Sequence, residues 1–164
     1  MSSHRRALLI AVSAAACLSA AAVYVLGFSG VTSGTDEKVA VPVPDPRTAG
    51  YCAALHARLP AKVNGLPQHD LKPVSGLTAG WGDPPIVLRC GVPRPAADAS
   101  ASTDGVEVDG VGWSIEPQPG GSFRLTTTLR KAYVEVTLPK KYAGDLDPLT
   151  DLAGAVKKTI PEGI

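Results

Sequence analysis

Residues 81–92 read WGDPPIVLRCGV, and how this run is read decides the fold. Trp81 to Pro85 hold a glycine, an aspartate and two prolines, the residue types that turn a chain. From Ile86 the pattern changes to alternation, with Ile86, Leu88, Cys90 and Val92 on one face and Arg89 on the other, the period of a half-buried strand. The run is therefore either a loop that a strand delivers to an active site or a structural corner that feeds a sheet. Asp83 in W-G-D-P fits an Asx-type turn, which favours the corner. Trp81, just before the turn, either caps the core or forms an exposed aromatic platform.

Downstream, the alternation recurs three times. VGWSIEP sends Val111, Trp113 and Ile115 inward; FRLTTTLR sends Phe123, Leu125, Thr127 and Leu129 inward; AYVEVTLP sends Val134, Val136 and Leu138 inward. Short links between these three strands imply antiparallel hairpins. The insertion RPAADASASTDG, rich in Ala, Ser and Asp, reads as a mobile loop.

Helices flank the strands. In TAGYCAALHARLP, Thr48 is placed to cap the helix, Cys52, Leu55 and Leu59 share a stripe, and Pro60 closes it. At the other end Asp147-Pro148 opens a helix with Leu149, Leu152, Val156 and Ile160 at helical spacing and Lys157 and Lys158 in the last turn. The expected fold class is α+β: an N-terminal membrane helix, then one small domain whose antiparallel sheet of about four strands packs against an N-terminal and a C-terminal helix.

The N-terminal reading gives four regions. Residues 1–6 form a cytoplasmic N-terminus, 7–28 a transmembrane signal-anchor, 29–47 a Pro/Gly/Ser-rich linker and 48–164 the extracytoplasmic α+β domain. Ala7 to Phe28 contains no charge and is long enough to cross a hydrocarbon core of roughly 30 Å, longer than the apolar core of a cleavable signal. Arg5 and Arg6 hold the N-terminus inside by the positive-inside rule, and Tyr24 and Phe28 suit the outer interface. The alternatives at this end are a cleaved signal peptide, a twin-arginine signal at Arg5-Arg6, and lipidation of Cys17 in SAAAC, where Ala14 stands in place of the usual larger aliphatic residue. The chain is thus expected in the cell membrane, single-pass, with its C-terminal domain outside.

Removing Arg5 and Arg6 from the 16 basic residues leaves 14 against 15 acidic ones, a formal charge of −1 on the outer part. No basic field is present to attract nucleic acid. Beyond the membrane segment the cysteines are Cys52 and Cys90, an even pair in a compartment where disulfides persist; the pair reads as a disulfide, with two separately buried thiols as the alternative.

Chemistry-bearing residues are sparse. His56 and His69 are too few for a zinc site, no G-x-S-x-G elbow is present, and the glycines of VDGVGW lie in a turn with no helix to follow. Asp83 with Asp109, or Asp104 with Glu107, are the carboxylate pairs to test for glycoside chemistry, but each of Asp83, Asp104 and Asp109 fits a turn. The polar sheet face carries Arg89, Arg124 and Arg130 beside Glu116 and Glu135, which are spaced to pair across strands. No catalytic set, metal ligand set or cofactor is expected; the candidate ligand surface is Trp81, Asp83, Arg89 and Arg124.

Cys52 followed by Leu59-Pro60, then WGDPPIVLRCGV, then VDGVGW, then an arginine-bearing strand leading into VEVTLP, together resemble an actinobacterial family described as the domain of unknown function 3515. The likeness runs from Tyr51 to Pro161, and its most specific elements are W-G-D-P and the downstream L-R-C-G. It implies a single-pass or lipoprotein-like envelope protein of a high-GC Gram-positive bacterium. Members are encoded near a D-alanine ligase, a pointer toward the cell wall, and there are no catalytic residues to carry over. The function expected is a non-enzymatic binding or structural component of the envelope with an envelope protein or cell-wall partner. The alternatives are an envelope enzyme acting on wall precursor or glycan through Asp83 and a sheet arginine, and a ligand-binding lipoprotein.

Overall fold

Ile86 to Val92 form the central strand of an eight-stranded antiparallel sheet in the computed structural model, which describes residues 38–99 and 104–163. The strands are β1 (Lys62–Val63), β2 (Leu66–His69), β3 (Thr78–Trp81), β4 (Ile86–Val92), β5 (Gly105–Val108), β6 (Val111–Pro117), β7 (Phe123–Thr127) and β8 (Tyr133–Leu138). Their spatial order is β1-β2-β3-β4-β8-β7-β6-β5. Two four-stranded meanders therefore meet at β4 and β8, where Leu88 faces Val136 and Arg89 faces Glu135. The chain crosses from the middle of the sheet to its far edge between β4 and β5.

The sheet has twice the strands read from the sequence. The missing ones, β1, β2, β3 and β5, are two to four residues long, too short for alternation to register. Two of the hairpins do carry a local signal: Asn64-Gly65 and Asp109-Gly110 adopt left-handed φ at both residues (50° and 73°; 49° and 77°), the primed turn that two-residue hairpins favour.

Two helices cover one face. α1 (Pro46–His56) and α2 (Asp147–Thr159) pack against each other and against the sheet, and a single core joins Cys52 and Leu55 of α1 to Leu149, Leu152, Val156 and Ile160 at the α2 end. The inward sets of β6 and β8 lie in or against this core as expected, and so do Ile86, Leu88 and Cys90 of β4; Val92, expected with them, follows the register shift after Cys90 and is not part of that core. α1 begins earlier than the sequence reading placed it, because Asp45 rather than Thr48 is the cap: its carboxylate accepts from the Arg47 and Thr48 N–H groups at 2.9 and 3.2 Å. The Thr48 hydroxyl also donates to it, and this bond leads the effects that hold the Asp45 carboxyl below its usual range. At α2 the N-cap position is Leu146, whose side chain caps nothing, and Asp145 just before it accepts from the Asp147 N–H.

Part of the stretch read as linker belongs to the domain. Lys38 bridges Lys72, the Val39 N–H donates to Lys72 O, and Pro44 lies so close to Gly91 that a Cβ there would sit 2.8 Å from it. Gly91 has a φ of 84° and marks the register shift between Cys90 and Val92. A side-chain-bearing residue would be both strained and obstructed there, which gives a physical reason for the glycine of L-R-C-G.

Residues 7–28, expected to form a transmembrane signal-anchor, lie outside the described residues; among the described residues no helix is long and apolar enough to cross a membrane. The cysteines do form the disulfide: Cys52 of α1 is bonded to Cys90 of β4, with Cα atoms 5.6 Å apart.

One strand ends sooner than its pattern. FRLTTTLR stops pairing at Thr127, and Leu129 takes a left-handed φ of 52°, so Leu129 turns outward and Arg130 turns in. Buried Arg130 donates from Nη1 to Ile160 O at 3.0 Å and from Nη2 to Gly110 O at 2.9 Å, tying the end of α2 to the β5–β6 turn. Arg130→Met keeps the aliphatic stem but leaves both carbonyls unpaired, and is expected to lower stability by about 3 kcal/mol, read from urea midpoints.

Candidate functional site

The sheet face away from the helices carries Arg89, Ser114, Glu116, Arg124, Thr126 and Glu135, as the alternation implies. It is not simply solvated. Ser114 and Thr126 are buried, because the segment after β4 runs back across this face as a strap, Pro93 to Ala99, with a 3-10 turn at Ala96–Ala99. This is the first part of the insertion read as a mobile loop, and it is tied down: Asp98 accepts from Arg94 Nε at 2.8 Å and from the Tyr133 hydroxyl at 3.2 Å. Burial pushes the Tyr133 hydroxyl pKa up, and the charge of Asp98 adds to it.

Strap and sheet enclose a groove of about 360 Å³. Its polar floor is Arg89, Arg124, Glu116 and Glu135; its wall is Val92 of β4 with Pro93, Arg94, Pro95 and Ala96 of the strap. Glu135 is the hub. Its Oε1 takes Arg89 Nη1 at 2.9 Å, and its Oε2 lies 3.5 Å from Arg124 Nε. Arg89 Nε also donates to Ala40 O, so the segment before α1 borders the site. Arg124 has a second neighbour, Glu116, at 3.8 Å across β6 and β7. These are the cross-strand pairs expected from the sequence, partly sheltered rather than fully exposed.

Of the sequence candidates, Arg89 and Arg124 meet in this groove and the other two do not. Trp81 is not a platform: it is fully buried, and its Nε1 donates to Pro60 O at 3.1 Å. Asp83 stays in the β3–β4 turn, exposed, with its backbone carbonyl accepting from Lys141 Nζ, and it does not line the groove. The W-G-D-P run joins the end of β3 to the start of β4 and is the corner that brings the chain into β4. His69 Nε2 sits 2.9 Å from Gly82 O, bracing the same corner. Among the described residues no three His, Cys, Asp or Glu side chains converge on a metal position.

Sequence reasoning missed the contribution of Arg94, Asp98 and Tyr133. Arg94 and Asp98 are four apart, a spacing that signals an ion pair on one helical turn, but nothing in the composition of the insertion says which face it crosses. A second hollow of about 570 Å³ lies near the β5–β6 turn, between Glu107, Leu129, Arg130 and Glu162. The guanidinium there is already bound to two carbonyls.

These features define an α+β module with one face sealed by helices and the other a strapped, arginine-bearing groove. The family model for a protein of unknown function, DUF3515, matches residues 7–164, and the chain belongs to that family. No curated protein and no solved structure matches it.

Proposed function

We propose that this chain is a membrane-anchored, extracytoplasmic envelope protein that binds rather than catalyses, and that the strapped groove is its ligand surface. The uncharged run Ala7 to Phe28 after Arg5-Arg6 supports the anchor, and the Cys52–Cys90 disulfide fits an oxidising compartment. The likeness of its motifs to actinobacterial envelope proteins supports the location. The observation that carries the binding reading is the state of the groove's charges: Glu116 and Glu135 are each set against arginine, so neither stands free as a general base. An enzyme working through Asp83 would need that carboxylate beside Arg89 or Arg124, and it lies in a turn outside the groove. A lipoprotein would need Cys17 processed, which an intact mass of the purified chain decides.

The test places a photoreactive residue at Ala96 on the strap in living cells, with the same residue at exposed Ala54 on α1 as control. The expected result is a discrete mass adduct from position 96 alone, reduced about tenfold when Arg89 and Arg124 are both changed to glutamine. Equal adducts from both positions, or an adduct indifferent to the arginines, would overturn the reading.

A further inference from the structure

We infer that the groove takes a small carboxylate on an apolar body, gripped by the Arg124 guanidinium; this rests on the binding reading above. Donors and acceptors in the groove are unequally occupied. Glu135 is only 8 % exposed and both its oxygens face arginines. Asp98 is taken by Arg94 and Tyr133. The acids are thus largely occupied, and the guanidiniums are not. Each carries five N–H donors. Arg89 commits its Nε and Nη1, Arg94 its Nε, and the Arg124 guanidinium makes no hydrogen bond among the described residues, with carboxylate oxygens at 3.5 and 3.8 Å. Arg124 is also the more accessible of the two floor arginines, its side chain 41 % exposed against 26 % for Arg89, while the Arg94 side chain on the strap, 58 % exposed, is held by Asp98.

A planar fork with unspent donors at the floor of a groove matches a carboxylate bidentately. Binding one would give Arg124 a hydrogen-bonded partner in place of the loose contact to Glu116 at 3.8 Å, at the cost of one added negative charge beside Glu116 and Glu135. A phosphate dianion would add two charges beside the same glutamates. The apolar half of the ligand is set by Val92, Pro93, Pro95 and Ala96; the one charged residue on that wall is Arg94, which is paired with Asp98. At about 360 Å³ the space holds roughly a dozen water-sized groups, the scale of one amino-acid residue or a branched organic acid.

The experiment follows arginine Nε–H resonances of the full-length chain, labelled with 15N-arginine, during titration with N-acetyl-leucine, with its amide, and with isoamyl phosphate. The acid is expected to shift the Arg124 signal saturably and leave Arg130 unmoved, the amide to bind about tenfold more weakly, and Arg124→Gln to abolish the response. Retention of the Arg130 signal in that variant shows that the fold survives. Binding of the acid that persists in Arg124→Gln, or a preference for the phosphate ester, overturns the inference. If the amide binds as well as the acid, the carboxylate preference fails and the groove stands as a binding site. If no probe moves any groove arginine, the inference fails, and the crosslinking at Ala96 decides the broader reading independently.

Discussion

Trp81→Ala is expected to lower the unfolding free energy by about 4 kcal/mol, among the largest effects of any single substitution in the domain. The side chain is fully buried beside Ile86, its cross-strand neighbour, at the point where the corner becomes β4. Truncation removes the apolar contacts of an indole and leaves a cavity that the rigid Gly82-Asp83-Pro84-Pro85 turn has little freedom to close. A sharper form of the test uses phenylalanine. Trp81 Nε1 is bonded to Pro60 O, whereas Trp113, equally buried, has an Nε1 with no partner among the described residues. Trp81→Phe leaves a carbonyl without its donor, and Trp113→Phe leaves none, so the first is expected to cost about 1 kcal/mol more than the second. Urea midpoints of the two variants at constant m decide it. Equal losses would mean that the Pro60 bond contributes nothing and that Trp81 acts by volume alone.

The side chains that seal the core were legible because they obey the simplest rule, alternation on long strands. Leu88, Cys90, Val134, Val136 and Leu138 lie inside for the same reason they could be picked out, and the α2 stripe from Leu149 to Ile160 follows the helical period just as closely. What the rule could not reach were elements with no period. β3 is Thr-Ala-Gly-Trp, whose small residues carry almost no strand signal, and its pairing is supplied by β4 on one side and β2 on the other. Leu129 and Arg130 show the rule failing outright. An apolar residue one step past the end of a strand keeps the phase of the pattern in the sequence, but a left-handed backbone reverses it in space. Leucine rarely adopts that conformation, so nothing local announces the reversal.

The groove was half legible for a related reason. Arg89, Arg124, Glu116 and Glu135 share a face by parity alone, and their pairing follows from cross-strand distance. The strap that turns this face into a site comes from the route of the β4–β5 connection across the sheet. That route is fixed by topology, since β5 pairs at the far edge and not beside β4. A connection forced across the sheet must satisfy its own polar groups on the way, and Asp98 does so by binding both Arg94 and Tyr133. The same crossing that solves a folding problem leaves a walled space beside unspent guanidinium donors.

Breaking the Cys52–Cys90 bond is expected to match the loss at Trp81, about 4 kcal/mol, for a different reason. The bridge spans 38 positions, and closing a loop of that length in the unfolded chain accounts for about 4 kcal/mol in the chain-entropy model. The folded state adds a local argument. Cys52 and Leu55 are the only two fully buried residues of α1, an eleven-residue helix too short to hold its shape without packing. Removing the bridge takes one of its two anchors, so the helix should loosen before the sheet does. Three measurements separate the entropic and local contributions. The double variant Cys52→Ala, Cys90→Ala should unfold near the urea midpoint of the wild-type chain in reductant, and reductant should leave the variant unchanged. Hydrogen exchange in the variant should quicken in Pro46–His56 well before it quickens in β4 and β8, whose pairing involves no cysteine side chain. Uniform quickening across the domain would place the whole effect in the unfolded chain, and a variant as stable as the wild type would remove the disulfide from any account of why a short helix can seal this sheet.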